Sequence, residues 1–315
     1  MTDQNRAYLY AGIVVLIWST VASAFKIALR YLDFSQIVFY AVIVSMFTFL
    51  LILAHQKKFP LLTRCTARDY GRSVLLGLLN PFLYYLVLLK AYSLLPAQQA
   101  VSLNYTWAVQ LVILSIPLLG QKIDLKSIVA VLISYFGVVI IATRGDIATL
   151  KIFNLSGVLL ALTSATIWAL FWIYNIKDRR DEVVKLFLNF AFGLLFIVTY
   201  LVFFGNLRLP SLPGLLAAAY VGLFEMGITF VLWLKALRMS RTTAQVSNLV
   251  YLTPFLALGF ISIAVGERIL FSTVAGLGFI VGGIALQRYP AQQKTPQFPR
   301  RLRRNRTASP SLHGY

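Results

Sequence analysis

Residues 77–102 read GLLNPFLYYLVLLKAYSLLPAQQAVS, and residues 222–247, at an offset of 145, read GLFEMGITFVLWLKALRMSRTTAQVS. Gly77, Leu78, Leu89, Lys90, Ala91, Val101 and Ser102 meet Gly222, Leu223, Leu234, Lys235, Ala236, Val246 and Ser247. The same offset runs outward without a gap. Gly12, Ser19 and Ala24 meet Gly157, Ser164 and Ala169, and Leu125, Ser127, Val129, Ala130, Leu132 and Gly137 meet Leu270, Ser272, Val274, Ala275, Leu277 and Gly282. Apolar sequence yields chance matches of Leu and Val, but paired glycines and a paired Lys-Ala are harder to obtain that way. The chain is two copies of one module.

Composition sets the medium in which those modules fold. With 59% hydrophobic and 12% charged residues and a mean hydropathy of +0.78, the chain departs from soluble domains, about a quarter of whose residues are charged. It reads as an all-α integral membrane protein, because apolar runs of about 20 residues match a hydrocarbon core of roughly 30 Å and the alternating strands of a β-barrel are missing. Ten spans are expected, at 8–30, 35–54, 71–93, 96–118, 125–143, 154–175, 183–204, 212–235, 241–264 and 269–287. The first is too long for a signal-peptide core and is expected to stay as a span. Five spans per copy is an odd number, so the second copy enters the membrane from the opposite side. The expected organisation is a cytoplasmic N-terminus at 1–7, a first five-helix repeat at 8–143, a linker at 144–153, an inverted second repeat at 154–287 and a basic, disordered cytoplasmic tail at 288–315.

The net charge of +19 invites a nucleic-acid reading until the charges are sorted by side. With the N-terminus inside, seven of the 29 Lys and Arg fall outside: Lys26, Arg30, Lys90, Arg144, Lys151, Arg208 and Arg268. The rest fall inside, so the positive-inside rule puts both termini in the cytoplasm and no nucleic acid is needed as a partner. The single cysteine, Cys65, excludes an intrachain disulfide.

Polar groups deep in the spans carry the functional reading. Ser and Thr are cheap in a membrane helix because they bond back to the i−4 carbonyl. Trp18 and Trp168 lie near the middle of their spans, away from the interfacial belts, where an indole N–H needs a partner; they line a cavity or pack between helices. Pro81 breaks the third span, and Asn80 and Tyr84, at i and i+4, are expected to share a face with the break. Asn104 and Trp107 in the fourth span, at i and i+3, pair an amide with an indole, and Asn248 and Tyr251 in the ninth repeat that spacing. Glu225, the only acidic residue deep in a span, stands at the repeat position of Asn80. Burying it ionised costs about 2.5 to 3.5 kcal/mol, so it is protonated, paired or facing water. A substrate or proton role, a structural hydrogen bond and a misplaced span are the three readings. Lys26 and Lys90 are candidate partners, each within about a turn of a span end and able to snorkel. Spans five and ten, poor in polar groups and rich in glycine, read as scaffold.

Asn104-Tyr105-Thr106-Trp107 with Gly120-Gln121-Lys122, and Tyr251-Leu252-Thr253-Pro254 with Gly266-Glu267-Arg268, resemble the EamA-like drug/metabolite transporter superfamily. More narrowly, Asn-Tyr-x-Trp with Gly-Gln-Lys resembles the YddG-type bacterial exporters of aromatic amino acids. The resemblance implies a basket in which spans one, three, four, six, eight and nine surround a central cavity. It also implies export of amino acids or other small metabolites across the bacterial inner membrane by alternating access, with no cofactor. The expected partners are a small-molecule substrate and membrane lipid, around a monomer or homodimer. The residues expected to line the substrate path are Trp18, Lys26, Asn80, Tyr84, Asn104, Trp107, Trp168, Glu225, Asn248 and Tyr251. Efflux of cationic drugs is the rival reading, with Glu225 as counter-ion. A membrane-embedded enzyme fares poorly, because the only histidines, His55 and His313, lie in a loop and the tail.

Overall fold

The computed structural model describes residues 2–120, 125–205, 208–240, 246 and 248–288. It is all-helical among those residues. Eight helices are long and apolar enough to cross a bilayer: α1 Asp3–Ala28, α2 Phe34–His55, α3 Ala67–Leu94, α4 Ala97–Leu118, α5 Leu125–Ala142, α6 Leu155–Asn175, α7 Glu182–Phe204 and α8 Leu212–Leu237. Two shorter apolar helices follow, α9 Leu249–Val265 and α10 Phe271–Leu286. The protein is a multi-pass membrane protein. Phe47, Leu51, Leu195, Phe204 and Leu216 point outward, each more than half exposed. In water they would make a large sticky surface, whereas lipid tails solvate them.

The helix ends follow local chemistry. Thr2 caps α1, Asp33 closes a capping box on Gln36 at the start of α2, and Asn154, Asp181 and Ser211 cap α6, α7 and α8. Each cap gives a side-chain acceptor to first-turn N–H groups that have no partner within the helix. The first helix therefore begins at Asp3, five residues before its expected start. Of the expected ninth span, residues 241–245 and 247 lie outside the described residues, as does the expected tail from 289.

Packing is reciprocal between the two copies. α1 lies against α8 and α9, and α6 against α3 and α4; α2 contacts α8 and α3 contacts α7; α5 and α10 pair with each other. The repeated glycines make two of these crossings close. A Cβ on Gly77 would collide with the Asn189 carbonyl of α7, and one on Gly222 with the Ala41 carbonyl of α2. At the α5–α10 crossing the backbones of Gly137 and Gly276 meet in the same way. Small residues let helices approach closely enough for dispersion and Cα–H contacts, which matter where no hydrophobic effect drives association. The repeated serines serve equivalent seams: Ser19 Oγ reaches the Thr253 carbonyl between α1 and α9, and Ser164 Oγ accepts from Asn104 between α6 and α4.

One end of the bundle is tied by ions. Lys58 pairs with Asp181 at 2.7 Å, and Arg180 holds both Asp178 and the Ser73 hydroxyl. Burial pushes the Asp178 carboxyl up, but the hydrogen bonds and charge of Arg180 outweigh it and hold the carboxyl below the usual range. A depressed folded-state pKa stabilises above the unfolded value and is lost as pH falls through the folded one. Melting of detergent-solubilised protein should thus show an acid-dependent loss below about pH 4 that Asp178→Asn reduces. An unchanged acid limb would contradict the tie. In the same assay Gly222→Ala should cost about 1–3 kcal/mol through overpacking. Gly12→Ala, where an added Cβ meets nothing within 4 Å, should be neutral or stabilising.

Candidate functional site

Two helices, α3 and α8, are interrupted near mid-length at repeat-related positions, and α4 and α9 carry tightened turns. In α3 a wide turn spans Leu78–Leu83, with Asn80 extended at φ −150°, ψ 121° ahead of Pro81. In α8 the equivalent turn spans Val221–Gly227, where Gly227 sits at φ −95°, ψ −92°. α4 tightens between Asn104 and Trp107, where Thr106 N bonds the Leu103 carbonyl, and α9 opens with a tight turn, Asn248–Leu252, before Thr253 and Pro254. Interrupted backbone inside a membrane protein is tolerated where protein or water meets the freed groups.

Side chains from these breaks converge on Glu225. Its Oε1 accepts a hydrogen bond from the Tyr85 hydroxyl at 3.0 Å, and the residue is 8% exposed. Beside it the Tyr84 hydroxyl donates to Asn104 Oδ1 at 3.3 Å, and Asn104 Nδ2 donates to Ser164 Oγ at 2.9 Å. Tyr84 stacks on Trp168 with centroids 4.4 Å apart and planes 26° from parallel. Trp168 in turn stacks on Phe171 and Phe230. Elsewhere in the same core Trp18 leans on Trp233 at 5.6 Å. Several buried polar atoms find no protein partner: Trp18 Nε1, Ser23 Oγ, both amide atoms of Asn80 and Thr229 Oγ1. Orphaned polar atoms at such a density need water or a ligand, since each costs about 1–3 kcal/mol when left bare.

The structure gathers Tyr84, Asn104, Trp168 and Glu225 into one cluster, with Trp18 nearby in the same core. Other expectations require correction. Asn80 does not share a helical face with Tyr84, because its extended backbone breaks the i to i+4 relation. Asn104 and Trp107 keep their three-residue relation across a tightened turn, since Tyr105 and Thr106 both stay in the right-handed helical region at φ −63°, ψ −8°, and Trp107 is only partly buried. Lys26 does not face Glu225; its Nζ donates to the Tyr92 carbonyl at 2.7 Å, in a cleft at the end of the bundle where α1 stops. Tyr251 is partly buried against the core. The side chain of Asn248 lies outside the described residues. Tyr85, Ser164, Phe230 and Trp233 are the site neighbours that the pattern of mid-span polar groups did not single out. Tyr85 and Phe230 occupy equivalent positions at the 145-residue offset, a signal that points to a shared facing.

The EamA-like transporter family model matches the chain twice, over residues 5–143 and 155–288. The chain belongs to that family, whose members are transporters rather than enzymes. An uncharacterized transporter of Clostridium kluyveri is 28% identical over 229 residues, 70% of this chain and 72% of that one. One from Archaeoglobus fulgidus is 24% identical over 296 residues, covering 90% and 97%. The uncharacterized transporter YvbV of Bacillus subtilis is 24% identical over 215 residues, covering 67% and 69%. A crystal structure superposes with a TM-score of 0.63 at 20% identity, over 91% of this chain and 97% of that one. At that identity the likeness speaks for the fold alone.

The Tyr85–Glu225 bond is directly measurable. A double-mutant cycle with Tyr85→Phe and Glu225→Gln should give a coupling of about 0.5–3 kcal/mol in thermal unfolding. Additive effects would contradict the bond.

Proposed function

We propose that the chain is a secondary transporter that exports aromatic and other hydrophobic amino acids across a bacterial inner membrane, with both termini cytoplasmic. The two matched halves, at 8–143 and 154–287 about a 144–153 linker, are inverted five-helix repeats that rock about the broken-helix centre. The observation that carries this reading is a buried carboxyl set against a stack of aromatic rings, where polar atoms stand without protein partners. Trp168, Tyr84 and Phe230 offer flat apolar faces to an aromatic side chain. A ring face and the Glu225 carboxylate together suit an ammonium. Asn80 and Asn104 provide amide N–H groups for a substrate carboxylate. Reciprocal packing supports alternation: α1 against α8 and α9 mirrors α6 against α3 and α4, so tightening one set while loosening the other exchanges two near-equivalent states.

A second reading, efflux of organic cations, is favoured by Glu225 itself, a buried carboxyl within reach of stacked rings. Counterflow separates the two. Proteoliposomes preloaded with unlabelled phenylalanine should transiently accumulate labelled phenylalanine. Trp168→Ala should cut the initial rate about tenfold, the effect of ~1.4 kcal/mol. Competition by quaternary ammonium compounds, with no response to amino acids, would replace the first reading by the second.

A further inference from the structure

A second chemically distinct cleft lies at the end of the bundle where α1 and α3 stop. It is an open cleft of about 560 Å³, lined by Lys26 and Arg30 of α1, Asp33 and Phe34 at the start of α2, Lys90 and Tyr92 of α3, and Glu267 beyond α9. That volume suits a metabolite-sized ligand, within the roughly 300–1,000 Å³ of small-molecule pockets. Both carboxylates in it are already engaged by helix N-termini. Asp33 Oδ1 accepts from Ser35 N, Ser35 Oγ and Gln36 N. Glu267, turned inward by Gly266 at φ 79°, accepts from Ala97 N at 2.7 Å and Gln98 N at 3.2 Å at the start of α4.

Among the described residues none of the three cations makes a salt bridge, although the Glu267 carboxylate acts on Lys26 at longer range. Lys26 donates to the Tyr92 carbonyl, Arg30 Nη2 donates to the Val265 carbonyl at 3.2 Å, and Lys90 lies 4.9 Å over the Phe34 ring. Carbonyls and a ring position these groups while leaving most of their N–H donors unspent, since an ammonium carries three and a guanidinium five. The cleft therefore presents held cationic donors beside apolar walls from Leu29, Leu32 and Phe34. Its floor is Tyr92, against which Phe25 packs edge-on at 5.2 Å, and Phe25 in turn lies 6.5 Å from Tyr85 of the Glu225 cluster.

We infer that this cleft is a second binding station, for the carboxylate of a small organic acid with an apolar body, separated from the central cluster by the Phe25–Tyr92 pair. In taking that carboxylate to be the cargo's, the inference rests on the amino-acid reading of the centre. The carboxylate sits between Lys90 and Arg30 with Lys26 below it, and the apolar body lies along Phe34 and Leu32. Cargo held there has passed the centre and awaits release. A lipid headgroup phosphate shares the oxyanion chemistry and is the competing source.

The test is equilibrium binding of labelled 3-phenylpropionate, which has a carboxylate and no ammonium, to the full chain in nanodiscs of neutral phosphatidylcholine. Arg30→Gln with Lys90→Gln should weaken binding about tenfold or more, as loss of charged hydrogen bonds does. Arg30→Lys with Lys90→Arg, which keeps the charge, should restore most of it. Trp168→Ala should leave this binding intact while impairing counterflow, so failure of the cleft and failure of the central reading are separable. Unchanged binding in the Gln pair would overturn the inference. So would binding that is abolished by a few per cent of phosphatidylglycerol in the disc, which would assign the cleft to lipid.

Discussion

Every other feature of this molecule depends on one constraint: a backbone N–H or carbonyl inside a bilayer must be satisfied without bulk water. Continuous helices meet it automatically, and most of the chain is continuous helix. Breaks are affordable only where neighbouring protein, a trapped water or a ligand takes over. The chain places its wide turns at matched positions in α3 and α8, and Tyr85, just past the first, bonds Glu225 within the second. The Glu225 cluster gathers beside these turns. The α5–α10 pair, joined through Gly137 and Gly276, contributes close packing.

The scaffold is far more symmetric than its site. Gly77 and Gly222 make equivalent helix crossings, and Ser19 and Ser164 tie equivalent seams. Yet Asn80 corresponds to Glu225, Tyr84 to Thr229, Tyr85 to Phe230 and Ser23 to Trp168. The first copy supplies the hydroxyls that reach the carboxyl and the amide, whereas the second supplies the carboxyl and the indole. The symmetry belongs to the helix scaffold, and the asymmetry to the polar cluster that it carries.

Much of this was legible before any coordinates, because duplication and mid-span polarity are strong signals in an apolar chain. Glu225 stood out by its cost, and Trp168 by its depth. What stayed hidden was geometry that breaks helical spacing. Asn104 and Trp107 remain three residues apart on a continuous right-handed backbone, and only the tightening at Tyr105-Thr106 was not legible. Asn80 lost its expected relation to Tyr84 because the residue before proline is pushed to extended backbone. Lys26 stood both as a candidate partner for Glu225 and as a lysine able to snorkel, and its long flexible stem reaches a carbonyl at the bundle end. Tyr85 stands beside Tyr84 in the third span, but nothing in the pattern sets it apart until its hydroxyl is seen to meet a carboxyl.

The account's central claim is that the broken-helix centre is the ligand site and is reached in turn from each side. Replacing Cys65, the sole native cysteine, and introducing Ser164→Cys puts one thiol in that centre. Membrane-impermeant maleimide, applied from one side at a time to oriented vesicles, should label this thiol from both sides, and phenylalanine should slow labelling from each. Labelling from a single side only, or at a rate that saturating phenylalanine leaves unchanged, would contradict the account.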